Sequence, residues 1–390
     1  MSFWPFAGES PEKPLKKTSL SLPQNAAAYQ YIRIALASGV SEVEVETPEP
    51  FLVSDQEGRV LFQGKQIVKT QIRASATGIK MGSQTFSTPV LAVESRGEGI
   101  KVNGKLYRGA VTVKRKANGS ILVINELLIE DYLKGVLPSE MNPKWPAEVL
   151  KAQAIASRTF ALFKALEHQK EDFDLTKGTL SQVYGGKASE SAVANRILDE
   201  TKGEILIYNG KIFPAYFHST CGGATTSAEY LWEVEPHPVL KGVKCQFCRI
   251  SKHYQWEARF TKKEIENKLR ARGVAISSVS ELEAGKKDAE GRALDFVIRD
   301  DAGKKITVHA NDFRLWVGAE KLKSTLLRSL RDEEDEIAFR GRGWGHGVGM
   351  CQYGAMALAD LGYSYQNILA YYYPGAEITK YVPKMPVKLS

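Results

Sequence analysis

Cys221 lies in the run HSTCGG at 218–223, and Cys245 and Cys248 follow as a Cys-x-x-Cys with His253 five residues beyond. A lone Cys-x-x-Cys suits a disulfide or a redox pair as well as a metal. Adding an upstream cysteine and nearby histidines tips the reading toward tetrahedral zinc, which takes thiolate and imidazole ligands. Cys221, Cys245 and Cys248 supply three ligands, and His253 is the expected fourth. His218 is the runner-up, since it could face a substrate instead. Such a closed site would clip the 222–244 loop without itself being the catalyst. Cys351 reads as a small buried residue or a loop thiol.

Glu140 stands in GVLPSEMNPKWPAE, at a turn between two helical segments. The ordinary reading of a glutamate before a helix is a capping or solvent-facing charge. Here Val136, Leu137, Met141, Pro143, Trp145 and Pro146 surround it. A carboxyl shielded by such groups has its pKa raised and can serve as a general acid near neutral pH. Lys151 and Arg158, seven residues apart, share one face of the helix that follows. They read as surface cations or, beside Glu140, as groups that hold a sugar or stabilise charge.

GRGWGHGVGMCQYGA at 341–355 is rich in glycine but lacks the lysine and hydroxyl of a phosphate-binding loop and the βαβ setting of a dinucleotide fingerprint. It suits close backbone approach to a ligand, with Trp344, His346, Gln352 and Tyr353 as side-chain contacts. Aromatic faces beside amides match the needs of a sugar ring. A glycine-rich structural turn is the equal alternative.

These groups need elements to position them. From residue 29 to 123 short alternating apolar runs are punctuated by Asn103-Gly104 and Asn118-Gly119, which are hairpin dipeptides. Near residue 128 the period changes, and apolar residues at 149, 152, 156, 160 and 163 predict an amphipathic helix ending near His168. A shorter helix is expected over 188–200, then two strands around Asn209-Gly210 that deliver His218 and Cys221 to a strand end. Thr261 with Glu264 predicts a capping box. Residues 293–309 predict a hairpin, and 353–361 a short helix after the glycine-rich loop.

The net charge of +8 is spread without a basic block, which suits weak attraction to any polyanion and does not single out nucleic acid. No run of about 18 apolar residues predicts a transmembrane helix. The opening MSFWPFAGES lacks a basic n-region and a continuous apolar h-region, so no signal peptide is read.

The segments at 128–162, 181–186 (SQVYGG), 214–232 (PAYFHSTCGGATTSAEYLW) and 341–375 together resemble the SpoIID/LytB family, bacterial proteins of sporulation and cell-wall remodelling. The resemblance covers roughly residues 95–382, with 29–94 as a variable leading part. It implies a lytic transglycosylase that cuts the N-acetylmuramic acid to N-acetylglucosamine bond of peptide-stripped peptidoglycan strands, leaving 1,6-anhydro ends. Some relatives are instead enhancers of cell-wall amidases, which makes a non-catalytic glycan-binding role the alternative. By this likeness Glu140 matches the catalytic glutamate, and Lys151 and Arg158 match basic residues of the following helix. Gln182, Tyr184, His218 and Ser219 match groups lining the cleft, and the glycine-rich segment forms its opposite wall. Some relatives carry serine in place of Cys221, so zinc is argued from this chain's own Cys-x-x-Cys. Export to the cell envelope follows from the substrate alone.

The expected fold is α+β and two-lobed: a leader over 1–28, a β-rich N-terminal domain over 29–125, and a mixed catalytic domain over 126–382 around one cleft.

Overall fold

Alternation sets the N-terminal architecture. In Glu42–Thr47 every second residue is buried, so Val43 and Val45 point into the core while glutamates face outward. The computed structural model describes residues 18–22, 30–178, 182–232 and 234–381. Among them, a seven-stranded sheet runs in the order Leu175–Thr176, Tyr31–Val40, Ile121–Leu128, Ala110–Arg115, Val90–Ser95, Phe51–Ser54, Val60–Gly64. A six-stranded sheet built around Glu42–Thr47 and Ile67–Ala74 accompanies it. Asn103 and Gly104, both at positive φ, join Ile100–Val102 to Lys105–Tyr107 as the sequence predicts. The expected leader falls mostly outside the described residues, but Leu20–Ser21 pairs as an edge strand with Lys211–Ile212.

Seven α-helices are described: α1 (Ile129–Glu140), α2 (Ala147–Glu167), α3 (Ala192–Glu200), α4 (Lys262–Arg270), α5 (Ala310–Val317), α6 (Gln352–Asp360) and α7 (Tyr365–Tyr372). The Thr261–Glu264 capping box opens α4, and Asp295–Arg299 with Lys305–His309 forms the predicted hairpin. The longest helix departs from expectation. Instead of an amphipathic surface helix, α2 is buried on nearly every face from Val149 to Leu166, Arg158 included. It packs against α1, α3, α6, α7 and the strand Glu204–Tyr208, so it has no broad face left for water.

The result is a mixed α/β fold, β-rich at the N-terminus and mixed toward the C-terminus. Apolar packing groups the chain by two main cores. One runs from Ile32 to Tyr373 and joins the N-terminal sheets to α1, α2, α6 and α7. The other lies within 256–339, around Phe296, Phe313 and Phe339. Among the described residues no helix is long and apolar enough to cross a membrane.

Candidate active site and metal centre

Helix α1 ends at Glu140 because Met141 turns extended, at φ −133° and ψ 146°, while its N–H closes the last turn on the Leu137 carbonyl. The carboxyl of Glu140 accepts a hydrogen bond of 2.7 Å from the Val183 backbone N–H. The neighbours of Val183 are anchored on both sides. Gln182 is fully buried between the Tyr132 hydroxyl and the Ser157 carbonyl. Tyr184 bonds Asn125 through its hydroxyl and packs on Tyr132. Gln182 and Tyr184 therefore hold the loop that aims Val183 at Glu140.

A second donor arrives from the far end of the chain. Gln352, the first residue of α6, hydrogen-bonds the Glu140 carboxyl. Its orientation follows from its neighbours: Gln153 donates to Ser157 Oγ at 2.9 Å, leaving the Gln153 oxygen to accept from Gln352 Nε2 at 3.4 Å. Burial pushes the Glu140 pKa up to about 7, and the bonds from Val183 and Gln352 pull against that rise. Glu140 keeps part of its surface open to solvent. Both protein partners are donors, so a proton on Glu140 must sit on a lone pair that neither occupies. The group can hold or release a proton near neutral pH.

Two of the expected contacts meet next to Gln352 in the chain. The Tyr353 N–H bonds the Ser219 carbonyl, and the Tyr353 ring packs edge-on against Trp145 at 5.1 Å. Lys151 and Arg158 have other partners. Lys151 pairs with Glu148 and Glu200. Arg158 grips both oxygens of Glu130 and the Glu204 carbonyl, tying α2 to α1 and to the strand Glu204–Tyr208. His218 is buried, with Nδ1 at 3.0 Å from the Val348 carbonyl, and burial holds its pKa down to about 3. A neutral His218 donates through Nδ1, and Nε2 is buried without a partner. His346 bonds the Phe217 carbonyl and accepts from the Val348 N–H. Together the two histidines staple the parallel strands Phe217–His218 and Met350–Cys351. Trp344 pairs with Thr220 and packs on His253.

That parallel pairing corrects the metal assignment. Cys221, Cys245, Cys248 and Cys351 are all buried, and their sulfurs lie within 4.8 Å of one another. His253 packs edge-on against Trp344 instead, and neither it nor His218 joins the cluster. Cys351 is the fourth member because the strand it ends runs alongside HSTCGG. None of the four forms a disulfide. A zinc tetrahedron with bonds of about 2.3 Å has sulfur–sulfur edges of about 3.8 Å. The Cys221–Cys248 separation of 3.4 Å and the 4.8 Å limit bracket that edge. The N–H groups of Cys221 and Gly354 point at Cys351 Sγ, and the Tyr372 hydroxyl at Cys245 Sγ, so donors are already aimed at sulfur. Hydrogen bonds from Cys221 and its neighbours draw the Cys245 thiol well down, while Cys221 is pushed up. Four buried sulfurs this close together are able to coordinate a cation, which would favour their thiolate forms.

Sequence reading missed Val183, Gln153, Ser157 and Cys351. Gln153 and Ser157 carried a signal, being polar residues one turn apart within an alanine-rich helix. Cys351 carried one too, as the only cysteine left over when a three-cysteine site wants a fourth ligand.

The segment bearing α1, Glu140, α2 and Val183 coincides with the stage II sporulation protein family, which matches residues 117–208. A domain of unknown function matches 237–349. An uncharacterized protein of Brachyspira hyodysenteriae is 36% identical over 73% of this chain and 75% of its own length. The stage II sporulation protein D of Bacillus subtilis is 33% identical over 70% of the chain and 79% of its own length. The amidase enhancer of Bacillus subtilis is 28% identical over 93% of the chain, which spans 56% of that relative's length. With a 33% identical stage II sporulation protein D covered over 79% of its length and the family segment spanning Glu140, the chain belongs to the SpoIID/LytB family.

Proposed function

We propose that the chain is a lytic transglycosylase acting outside the cytoplasm on peptide-stripped peptidoglycan, and that Glu140 is its acid and base. The observation that carries this reading is a half-buried carboxyl held at a pKa of about 7 between two donor groups. Protonated Glu140 gives its proton to the glycosidic oxygen as the bond from that oxygen to muramic acid C1 breaks. The resulting carboxylate takes the proton of the 6-hydroxyl while O6 closes onto C1, leaving a 1,6-anhydro end and restoring the acid. One carboxyl suffices, unlike the pair used in most glycoside hydrolysis. Val183 and Gln352 stabilise the carboxylate between the two steps. Tyr353, Trp145 and Ser219 flank the position for the sugar. Zinc on the four cysteines would hold the HSTCGG strand to α6 and take no part in proton transfer.

A second reading is that the chain binds glycan and stimulates a wall amidase without turnover. Similarity to an amidase enhancer along 93% of the chain favours it. Incubation with amidase-stripped strands separates the two. New 1,6-anhydro ends detected by mass, falling 10²- to 10⁴-fold in Glu140→Gln with glycan binding retained, support catalysis. Binding without new ends, together with a faster amidase in the same tube, supports the enhancer role.

A further inference from the structure

A groove of about 300 Å³ runs between the Gly222-Gly223 backbone and the end of the three-stranded sheet that carries Arg328 and Arg342. Gly222 sits at φ +81°, and a Cβ there would lie 2.9 Å from the Arg342 carbonyl carbon, so the HSTCGG loop meets the neighbouring strand backbone to backbone. Both arginines are without a carboxylate partner among the described residues. In the same three-stranded sheet Arg259 pairs with Glu333 and Arg340 with Glu257. The Arg342 guanidinium lies over the Tyr254 ring at 5.7 Å, and its Nε is buried with no acceptor. A buried donor left without an acceptor is uncommon and points to a missing partner. Glu290 also lines the groove, forms no ion pair with either arginine, and leaves the lining with a net positive charge.

We propose that this groove is a carboxylate subsite for the glycan strand, taking the lactyl carboxylate of a muramic acid residue on Arg342 and Arg328. The assignment rests on the glycan reading above. Gly222 is three residues from Ser219, whose carbonyl holds Tyr353 beside Gln352 and Glu140. Three extended residues span at most about 10 Å, so the groove begins no farther than that from Ser219. A guanidinium pair prefers a planar carboxylate to a neutral amide. The muramic acid carboxyl is free in stripped strands and is an amide where the stem peptide remains attached. The groove thus selects stripped strands.

The test uses Glu140→Gln protein, so that bound strands stay intact, and stripped glycan oligomers before and after conversion of their carboxyls to methylamides. Titration calorimetry is expected to show about tenfold weaker binding of the free-acid oligomer after Arg342→Gln, a smaller loss after Arg328→Gln, and recovery in Arg342→Lys. The methylamide oligomer binds both proteins alike, at the weakened level. Equal loss for both oligomers, or none for either, overturns the subsite while leaving the glycan reading intact. Failure of the starting protein to bind any oligomer overturns both. Displacement of the oligomer by inorganic phosphate at matched ionic strength, absent in Arg342→Gln, would make the groove a phosphate site and overturn the carboxylate assignment.

Discussion

Glu140 is caught between opposing influences, and their balance is measurable. Burial favours the neutral carboxyl; the Val183 N–H and the Gln352 amide favour the ion. Removing the Gln352 donor with Gln352→Leu therefore raises the pKa further. If Glu140 must be protonated to begin the reaction, kcat/KM falls above about pH 7 in the natural protein. In Gln352→Leu that descending limb moves to higher pH, and an unchanged profile would remove Gln352 from the site. The same shift links to stability. The folded pKa of about 7 exceeds the model-compound value of 4.5, so the folded state gains relative stability below pH 4.5 and loses it as pH rises through 7. Glu140→Gln removes the loss, stabilising the protein by ~3 kcal/mol at pH 8 and hardly at all at pH 4.5. Thermal unfolding at the two pH values checks this.

Among the elements, α2 organises its surroundings because it is enclosed. Arg158 is 4% exposed at its side chain and pairs with Glu130, so Arg158→Ala leaves a half-shielded carboxylate without its partner. We expect a loss of about 3 kcal/mol in stability and little change in glycan affinity. Loss of affinity at unchanged stability would restore Arg158 as a substrate contact. The loop that carries Val183 depends on Gly135 in α1. A Cβ there would lie 2.7 Å from the Tyr184 ring and 3.0 Å from the Gly186 carbonyl, and the Tyr107 and Tyr132 rings and Asn125 hold Tyr184 in place. Gly135→Ala should cost about 1–3 kcal/mol by overpacking and pull Val183 from Glu140. Slower turnover and a lower unfolding midpoint are the readouts.

At the scale of the molecule, the cysteine cluster joins segments far apart in the chain. Cys351 is followed directly by Gln352, so whatever holds Cys351 also sets the donor on Glu140. Protein purified without added metal is expected to carry about one zinc, which Cys351→Ser sharply reduces and His253→Ala leaves in place. Equal metal loss in both variants would return His253 to the ligand set. Chelation should lower the unfolding midpoint and, through Gln352, shift the pH profile as Gln352→Leu does.

Local chemistry was legible in the sequence. Asn103-Gly104 and Asn209-Gly210 make their hairpins, Thr261 and Glu264 their capping box, and the apolar run around Glu140 its shielded setting. Each depends on residues close together in the chain, whose steric and hydrogen-bonding preferences act before the tertiary structure does. Four motifs in order along the chain carried the family resemblance. The tertiary structure alone decided the fourth thiol, the burial of α2 and the relay behind Gln352. Cys221 and Cys351 are 130 residues apart, and Gln153 and Gln352 are 199 apart. Contacts of that kind depend on which strands pair and which helix faces pack, and no local spacing encodes them.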